Sequence, residues 1–93
     1  MSKRSKRLDR IRQNPTNVSL DDLRRVLEDY GFVLERSEGS HFTFSVIIAN
    51  QTKLLVVPYR RPVKPIYVKK ALQIIDEVVA GQGVEETDEI DDD

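Results

Sequence analysis

The sequence predicts an α+β domain whose elements follow the order α-β-β-β-α. Three observations predict this class: an apolar stripe with helical spacing over residues 18–30, an alternating run at His41–Ile48, and a second helical stripe over residues 66–79. Short turns separate the strands between the two helices, and short connections favour antiparallel pairing. We therefore expect a three-stranded antiparallel sheet packed on two helices over residues 18–81.

Residues 1–17 precede this domain as a basic segment. Over residues 1–14, six Lys and Arg side chains stand against one Asp. We predict a flexible basic arm over residues 1–7 and a short helix over residues 8–14. Pro15 ends that helix, because the residue before a proline disfavours helical backbone angles.

The first domain helix has clear start and stop signals. Ser19 can cap it, and Asp22 stands three residues later in the position of a capping box. Val18 and Leu23 occupy the two positions of a hydrophobic staple. Gly31 follows the last apolar residue of the stripe, where a glycine commonly ends a helix.

Three strands follow, over residues 32–36, 41–48 and 53–57, with turns at residues 37–40 and 49–52. Gly39 is free to adopt the positive φ that the first turn requires. Alternation divides the middle strand into two faces. The apolar face that we expect to meet the helices holds Phe42, Phe44, Val46 and Ile48. The more polar face holds His41, Thr43, Ser45 and Ile47.

Composition restricts the possible functions. The chain has 93 residues, no cysteine and one histidine, so disulfides and thiolate chemistry are excluded and we expect no metal site and no organic cofactor. No apolar run reaches the roughly 20 residues of a membrane helix, and no apolar region of a secretory leader follows the basic start. We expect a cytoplasmic protein. The acidic composition of residues 82–93 predicts a disordered tail.

The only histidine, His41, is the candidate catalytic residue. Imidazole changes charge near neutral pH, so it can transfer protons during RNA cleavage, in which the 2′-hydroxyl is the nucleophile. Ser40 can bond a phosphate oxygen, and Gly39 lets a backbone approach closely. A purely structural histidine is the alternative. One histidine cannot be acid and base at the same moment, and Tyr59, Lys64 or water are open candidates for the second group.

A basic segment at residues 59–70 is the candidate RNA contact. It holds five bases and no acid, and bases around a helix start can bind phosphates. The alternative is an ordinary solvated surface. The candidate RNA-binding side chains of this segment are Arg60, Arg61, Lys64, Lys69 and Lys70.

Several short motifs in this order resemble the HicA-type mRNA interferase toxins of type II toxin–antitoxin systems. The resemblance covers residues 18–80 and is carried by Tyr30-Gly31-Phe32, Gly39-Ser40-His41, Val57-Pro58, Lys64-Pro65 and Tyr67-Val68-Lys69-Lys70-Ala71-Leu72. It implies a fold like the double-stranded RNA-binding domain, endoribonuclease activity on mRNA with His41 as the active residue, and inhibition by a HicB-like antitoxin protein. The basic start and the acidic tail lie outside the family's pattern.

Two other function classes fit the same residues. A non-catalytic RNA-binding module would use the basic segment alone, without a second acid–base group. A protein-interaction role would use the polar face of the sheet or one of its edge strands. Substitution of His41 by alanine separates the first of these alternatives from a ribonuclease, because it would change little in a binding module.

Overall fold

The computed structural model describes residues 3–82, which form three helices and one sheet. The elements are α1 (Lys3–Gln13), α2 (Leu20–Asp29), β1 (Val33–Glu38), β2 (His41–Ile48), β3 (Gln51–Pro58) and α3 (Pro65–Gln82). The sheet is antiparallel in the order β1-β2-β3, so the α+β class and the predicted meander are confirmed. Of the predicted acidic tail over 82–93, residues 83–93 lie outside the described part, and Gln82 belongs to α3.

The first helix corrects the prediction of a flexible arm followed by a short helix. α1 already begins at Lys3, and Leu8 and Ile11 are buried in the main core. Arg7 donates two hydrogen bonds to the Asp29 carboxylate, at 2.7 and 2.8 Å, which attach α1 to the end of α2. The basic composition of residues 3–7 therefore does not prevent helix formation, because two apolar side chains and an ion pair hold the helix in place.

The second helix follows its sequence signals closely. The Ser19 hydroxyl accepts a hydrogen bond from the Asp22 amide at 3.0 Å, which satisfies a donor that the helix start leaves open. Val18 and Leu23 are both buried. After the helix, Gly31 has a φ of +91°, and its amide donates to the carbonyl of Glu28. The predicted cap and stop are confirmed, and both residues of the predicted staple lie in the core.

The middle strand organises the sheet. β2 has the predicted bounds, while β1 extends two residues beyond its predicted end and β3 is longer at both ends. A tight turn joins β2 to β3, and its residues Ala49 and Asn50 both have positive φ, as hairpin turns of this length favour. Phe44 and Val46 are buried on the helix side. The predicted assignment of the two faces of β2 is therefore confirmed.

A β-bulge interrupts the pairing of β1 with β2. Leu34 stands opposite Phe44, whereas Arg36 stands opposite Thr43, so Glu35 is the extra residue. The Ser45 hydroxyl donates a hydrogen bond of 2.5 Å to the Glu35 carboxylate, which holds the bulged side chain over the sheet. Because one residue is inserted, the side chains of β1 change faces at this point.

The last helix covers the sheet, and two contacts, one just before its start and one near its end, define its direction. Its core side holds Val68, Ile75 and Val78, which are almost completely buried. Before α3, the Val63 amide donates to the Val18 carbonyl at 2.8 Å. At its far end, Gly81 lies against the Ile48 side chain at the end of β2. α3 therefore begins near the His41 end of the sheet and runs towards the Ile48 end.

None of the helices within residues 3–82 combines the length and the apolar content that a membrane crossing requires.

Candidate functional site

A two-residue turn places His41 at the very start of β2. β1 ends at Glu38 and β2 begins at His41, so Gly39 and Ser40 form the whole connection. Gly39 has a φ of +59°, which a side chain would strain, and this explains the glycine at that position. The Tyr59 amide donates to the Ser40 carbonyl at 2.6 Å and ties this turn to the segment after β3.

The His41 side chain lies on the face of the sheet that no helix covers. Its neighbour Phe42 packs against the core on the other face, so alternation directs His41 outward. The residue is exposed, and within residues 3–82 its side chain makes no hydrogen bond or ion pair. An exposed imidazole without a partner can reach a large substrate such as a polynucleotide.

The predicted basic residues divide between two positions. Arg60 and Arg61 follow Tyr59 after the end of β3, and Lys64 stands just before α3, so these three loop cations belong to the segment that connects β3 to α3. Lys69 and Lys70 are exposed on α3, which packs on the opposite face of the sheet from the His41 ring. The structure thus joins Gly39 and Ser40 to His41, but within residues 3–82 no contact links Arg60, Arg61 or Lys64 to the ring, and Arg61 lines a cleft with Ser19 and Asp22 at the start of α2. The two helical lysines belong to the helix layer, on the opposite face of the sheet from the ring.

Aromatic side chains restrain part of this basic segment. Arg61 donates a hydrogen bond of 2.7 Å to the Tyr59 hydroxyl, and this bond raises the pKa of Arg61 above its ordinary value. The Lys70 ammonium lies 5.8 Å from the centre of the Tyr67 ring, within the range of a cation–π contact. Lys64 and Lys69 make no ion pair with any residue from 3 to 82 and remain open to phosphate groups.

Two charged residues that the sequence analysis did not single out share the outer face with His41. Glu38 stands directly opposite His41, and Arg36 stands opposite Thr43, the next outward residue of β2. Strict alternation from Leu34, which faces the helices, would place both on the helix side. The bulge at Glu35 moves them to the outer face, and no pattern in the sequence marks a bulge at that residue.

The outer face also carries aliphatic side chains. It is more polar than the helix face, as expected, but four exposed residues give it an apolar part beside the charged end. These residues are Val33, Ile47, Leu54 and Val56, each at least 45% exposed. Exposed aliphatic residues grouped on one open sheet are typical of a surface that contacts a partner.

A cleft of about 210 Å³ between α1 and α2 lies elsewhere in the molecule. It is lined in part by Arg7, Ile11 and Val26 and contains none of the candidate site residues. Within residues 3–82, no group of three or more His, Asp or Glu side chains is arranged to hold a metal ion. The candidate site is therefore an open surface around His41.

Comparison of the chain with protein-family models, curated proteins and solved structures finds no match.

Proposed function

We propose that the protein is a HicA-type endoribonuclease that cleaves mRNA without a metal ion by acid–base catalysis centred on His41. One observation carries the proposal: the only histidine of the chain is exposed, unpartnered within residues 3–82, and held by a tight glycine turn opposite Pro58, the residue after which the basic segment begins. A structural histidine would ordinarily be packed or hydrogen-bonded. The resemblance of Gly39-Ser40-His41 and its neighbours to the HicA toxins supports the same function.

RNA cleavage needs few protein groups, because the RNA supplies its own nucleophile. The 2′-hydroxyl attacks the adjacent phosphorus, so the protein has to remove one proton, supply another to the leaving 5′-oxygen, and stabilise the extra negative charge. An imidazole can serve in either proton transfer near neutral pH. Neighbouring cations stabilise charge that develops on phosphate oxygens. Arg60, Arg61 and Lys64 are the cations closest in the chain to the strand end that faces His41.

The fold supports an RNA substrate held by its backbone. The sheet with α2 and α3 has the order α-β-β-β-α, and we propose that it acts like a double-stranded RNA-binding domain, which contacts phosphates and shape more than base sequence. Lys69 and Lys70 would then bind phosphates of a strand that passes around the end of the sheet from the His41 face to α3. This path uses all of the predicted RNA-binding residues.

A HicB-like antitoxin protein is the proposed partner, and the cytoplasm is the proposed location. The outer face supports this partner, because one protein that covers the aliphatic residues of β2 and β3 would also cover His41. An inhibitor of this kind would block RNA and bury apolar surface in the same contact.

A non-catalytic RNA-binding module is the second candidate function. One observation favours it: the basic segment at residues 59–70 holds five bases and no acid, and such a segment can bind phosphates without any catalytic group. The basic segment would bind RNA equally well in either case.

The test is RNA cleavage in EDTA by the parent protein and by His41→Ala. A single-stranded mRNA is incubated with each protein, and the products are separated on a denaturing gel. We expect cleavage by the parent and a loss of about 10²–10⁴-fold in rate for the variant, which is the usual contribution of a general acid or base. RNA affinity, measured by fluorescence anisotropy, should change little.

Arg24→Ala is the matched control, because Arg24 is an exposed residue of α2 that pairs only with Glu28 on its own helix. It should cleave RNA at the parental rate. RNA binding without cleavage by the folded parent protein would support the binding module instead. Cleavage that required added magnesium would contradict the proposed mechanism, because the metal would then stabilise the developing charge.

A further inference from the structure

The β-bulge at Glu35 places two charged residues of β1 on the same face as His41. Without the bulge, Arg36 and Glu38 would lie on the same face as Leu34 and pack towards the helices. With the bulge, Glu38 stands directly opposite His41, and Arg36, two residues earlier on β1, lies on the same open face. Bulges occur frequently next to active sites, where they redirect a side chain.

We propose that Glu38 is the second acid–base group of the ribonuclease: it takes the proton of the 2′-hydroxyl, while His41 protonates the leaving 5′-oxygen and Arg36 holds the phosphate. The inference rests on the proposed function and deepens it. It replaces Tyr59, Lys64 and water, which the sequence left open as partners of the histidine.

The spacing of the three residues suits one phosphodiester group. Side chains directly opposite each other on antiparallel strands have Cβ atoms about 4.5–5.5 Å apart, and diagonal neighbours are about 7–8 Å apart. Glu38 and His41 form the direct pair, and Arg36 is the diagonal neighbour of His41. All three residues are exposed, and within residues 3–82 no ion pair joins Glu38 to His41 or Arg36 to any acid. Their charged ends are therefore available to a substrate.

The reaction balances without any further reactant. The 2′-oxygen loses its proton to the Glu38 carboxylate and forms a bond to phosphorus. The bond from phosphorus to the 5′-oxygen breaks, and that oxygen receives a proton from the His41 imidazolium. The products are a 2′,3′-cyclic phosphate and a free 5′-hydroxyl. After the step Glu38 is a neutral carboxylic acid and His41 is a neutral imidazole. One proton then returns from Glu38 to His41 through solvent.

The two roles follow from the hydrogen-bonding chemistry of the groups. A carboxylate carries only acceptor oxygens, whereas an imidazolium donates from both ring nitrogens. The proposal therefore assigns proton acceptance to Glu38 and proton donation to His41. Arg36 supplies the positive charge that offsets the repulsion between the Glu38 carboxylate and the phosphate.

Tyr59, one of the groups left open by the sequence, is placed less favourably. Its ring packs near Phe42, with ring centres 6.4 Å apart, and Phe42 faces the helices rather than the open side. Its hydroxyl accepts the hydrogen bond from Arg61. Glu38 shares a face with His41 and has no such competing bond.

The first experiment measures single-turnover cleavage and RNA binding for Glu38→Gln. The probe is a short RNA that contains a cleavage site mapped on mRNA with the parent protein. We expect cleavage to slow by about 10²–10⁴-fold. Binding should be equal or tighter, because the substitution removes a negative charge close to phosphate. Glu28→Gln, on the exposed side of α2, is the matched control and should cleave at the parental rate.

The second experiment separates the base from the acid. In the same RNA, sulfur replaces the bridging 5′-oxygen at the cleaved bond. Sulfur leaves as a thiolate without prior protonation, because a thiol is far more acidic than an alcohol. The thio-substituted RNA should restore most of the activity lost in His41→Ala and little of the activity lost in Glu38→Gln.

The outcomes distinguish this inference from the function on which it rests. If His41→Ala is inactive and Glu38→Gln cleaves at the parental rate, the ribonuclease stands and the role of Glu38 is overturned. Rescue of Glu38→Gln by the sulfur substrate would overturn its assignment as the base. Absence of cleavage by the folded parent protein would overturn both proposals.

Discussion

Replacing Ile11 by alanine tests whether α1 is an integral part of the folded domain. Ile11 is only 4% exposed and belongs to the main core together with Leu8. The substitution removes three buried carbon groups, which at about 0.8 kcal/mol each gives about 2.4 kcal/mol of lost transfer free energy. Ile→Ala replacements in cores typically cost about 2–5 kcal/mol, because a cavity is left behind.

The position of Ile11 places the expected cost in the lower part of that range. Ile11 lines the cleft of about 210 Å³ between α1 and α2, so water and neighbouring side chains can occupy part of the vacated space. We expect the free energy of unfolding to fall by about 2–3 kcal/mol. For a domain of this size, that corresponds to a loss of about 10–20 °C in melting temperature.

The assay is urea unfolding followed by far-UV circular dichroism and by tyrosine fluorescence, since the chain contains no tryptophan. Gln13→Ala, at an exposed position of the same helix, is the matched control and should change stability by less than about 0.5 kcal/mol. If Ile11→Ala were as stable as this control, the burial of α1 against the rest of the core would be refuted.

Two further variants, one single and one double, test the helix cap and the helical lysines. Ser19→Ala removes the hydroxyl that accepts from the Asp22 amide, so we expect a loss of about 1 kcal/mol in urea unfolding, and an unchanged midpoint would contradict the cap. The double substitution Lys69→Ala and Lys70→Ala should weaken RNA binding and reduce the slope of log affinity against log salt by about 1.4, near 0.7 for each phosphate contact to a single strand. An unchanged salt slope would remove these lysines from the RNA path.

The sequence predicted those parts of the fold that depend on strong local signals. Ser19 and Gly31 mark the ends of α2 because a cap and a positive φ each require a particular residue type. Alternation over β2 is uninterrupted, and it correctly assigned His41 to the face away from the helices. These signals act between neighbouring residues, so tertiary contacts did not change the structures that they predict.

The docking of α1 on the core, its start at Lys3 and the bulge in β1 depended on tertiary contacts and were missed, although a short helix over residues 8–14 was predicted. α1 carries only Leu8 and Ile11 as buried residues among many charges, a stripe too narrow to predict docking. The bulge at Glu35 leaves no mark in the hydropathy pattern, because one inserted residue looks like ordinary strand sequence. It nevertheless decides which face Arg36 and Glu38 occupy, so their position on the same face as His41 was not predictable.

Cleavage of RNA that lacks the proposed nucleophile is the decisive measurement for a His41-centred ribonuclease. A short RNA with 2′-O-methyl at the nucleotide before the mapped cleavage site is compared in EDTA with the unmodified RNA. We predict that the parent protein binds both with affinities within about threefold, converts the unmodified RNA to a 2′,3′-cyclic phosphate, and leaves the methylated RNA intact. Cleavage of the methylated RNA at the same bond and rate would contradict attack by the 2′-hydroxyl and, with it, the roles given to His41 and Glu38.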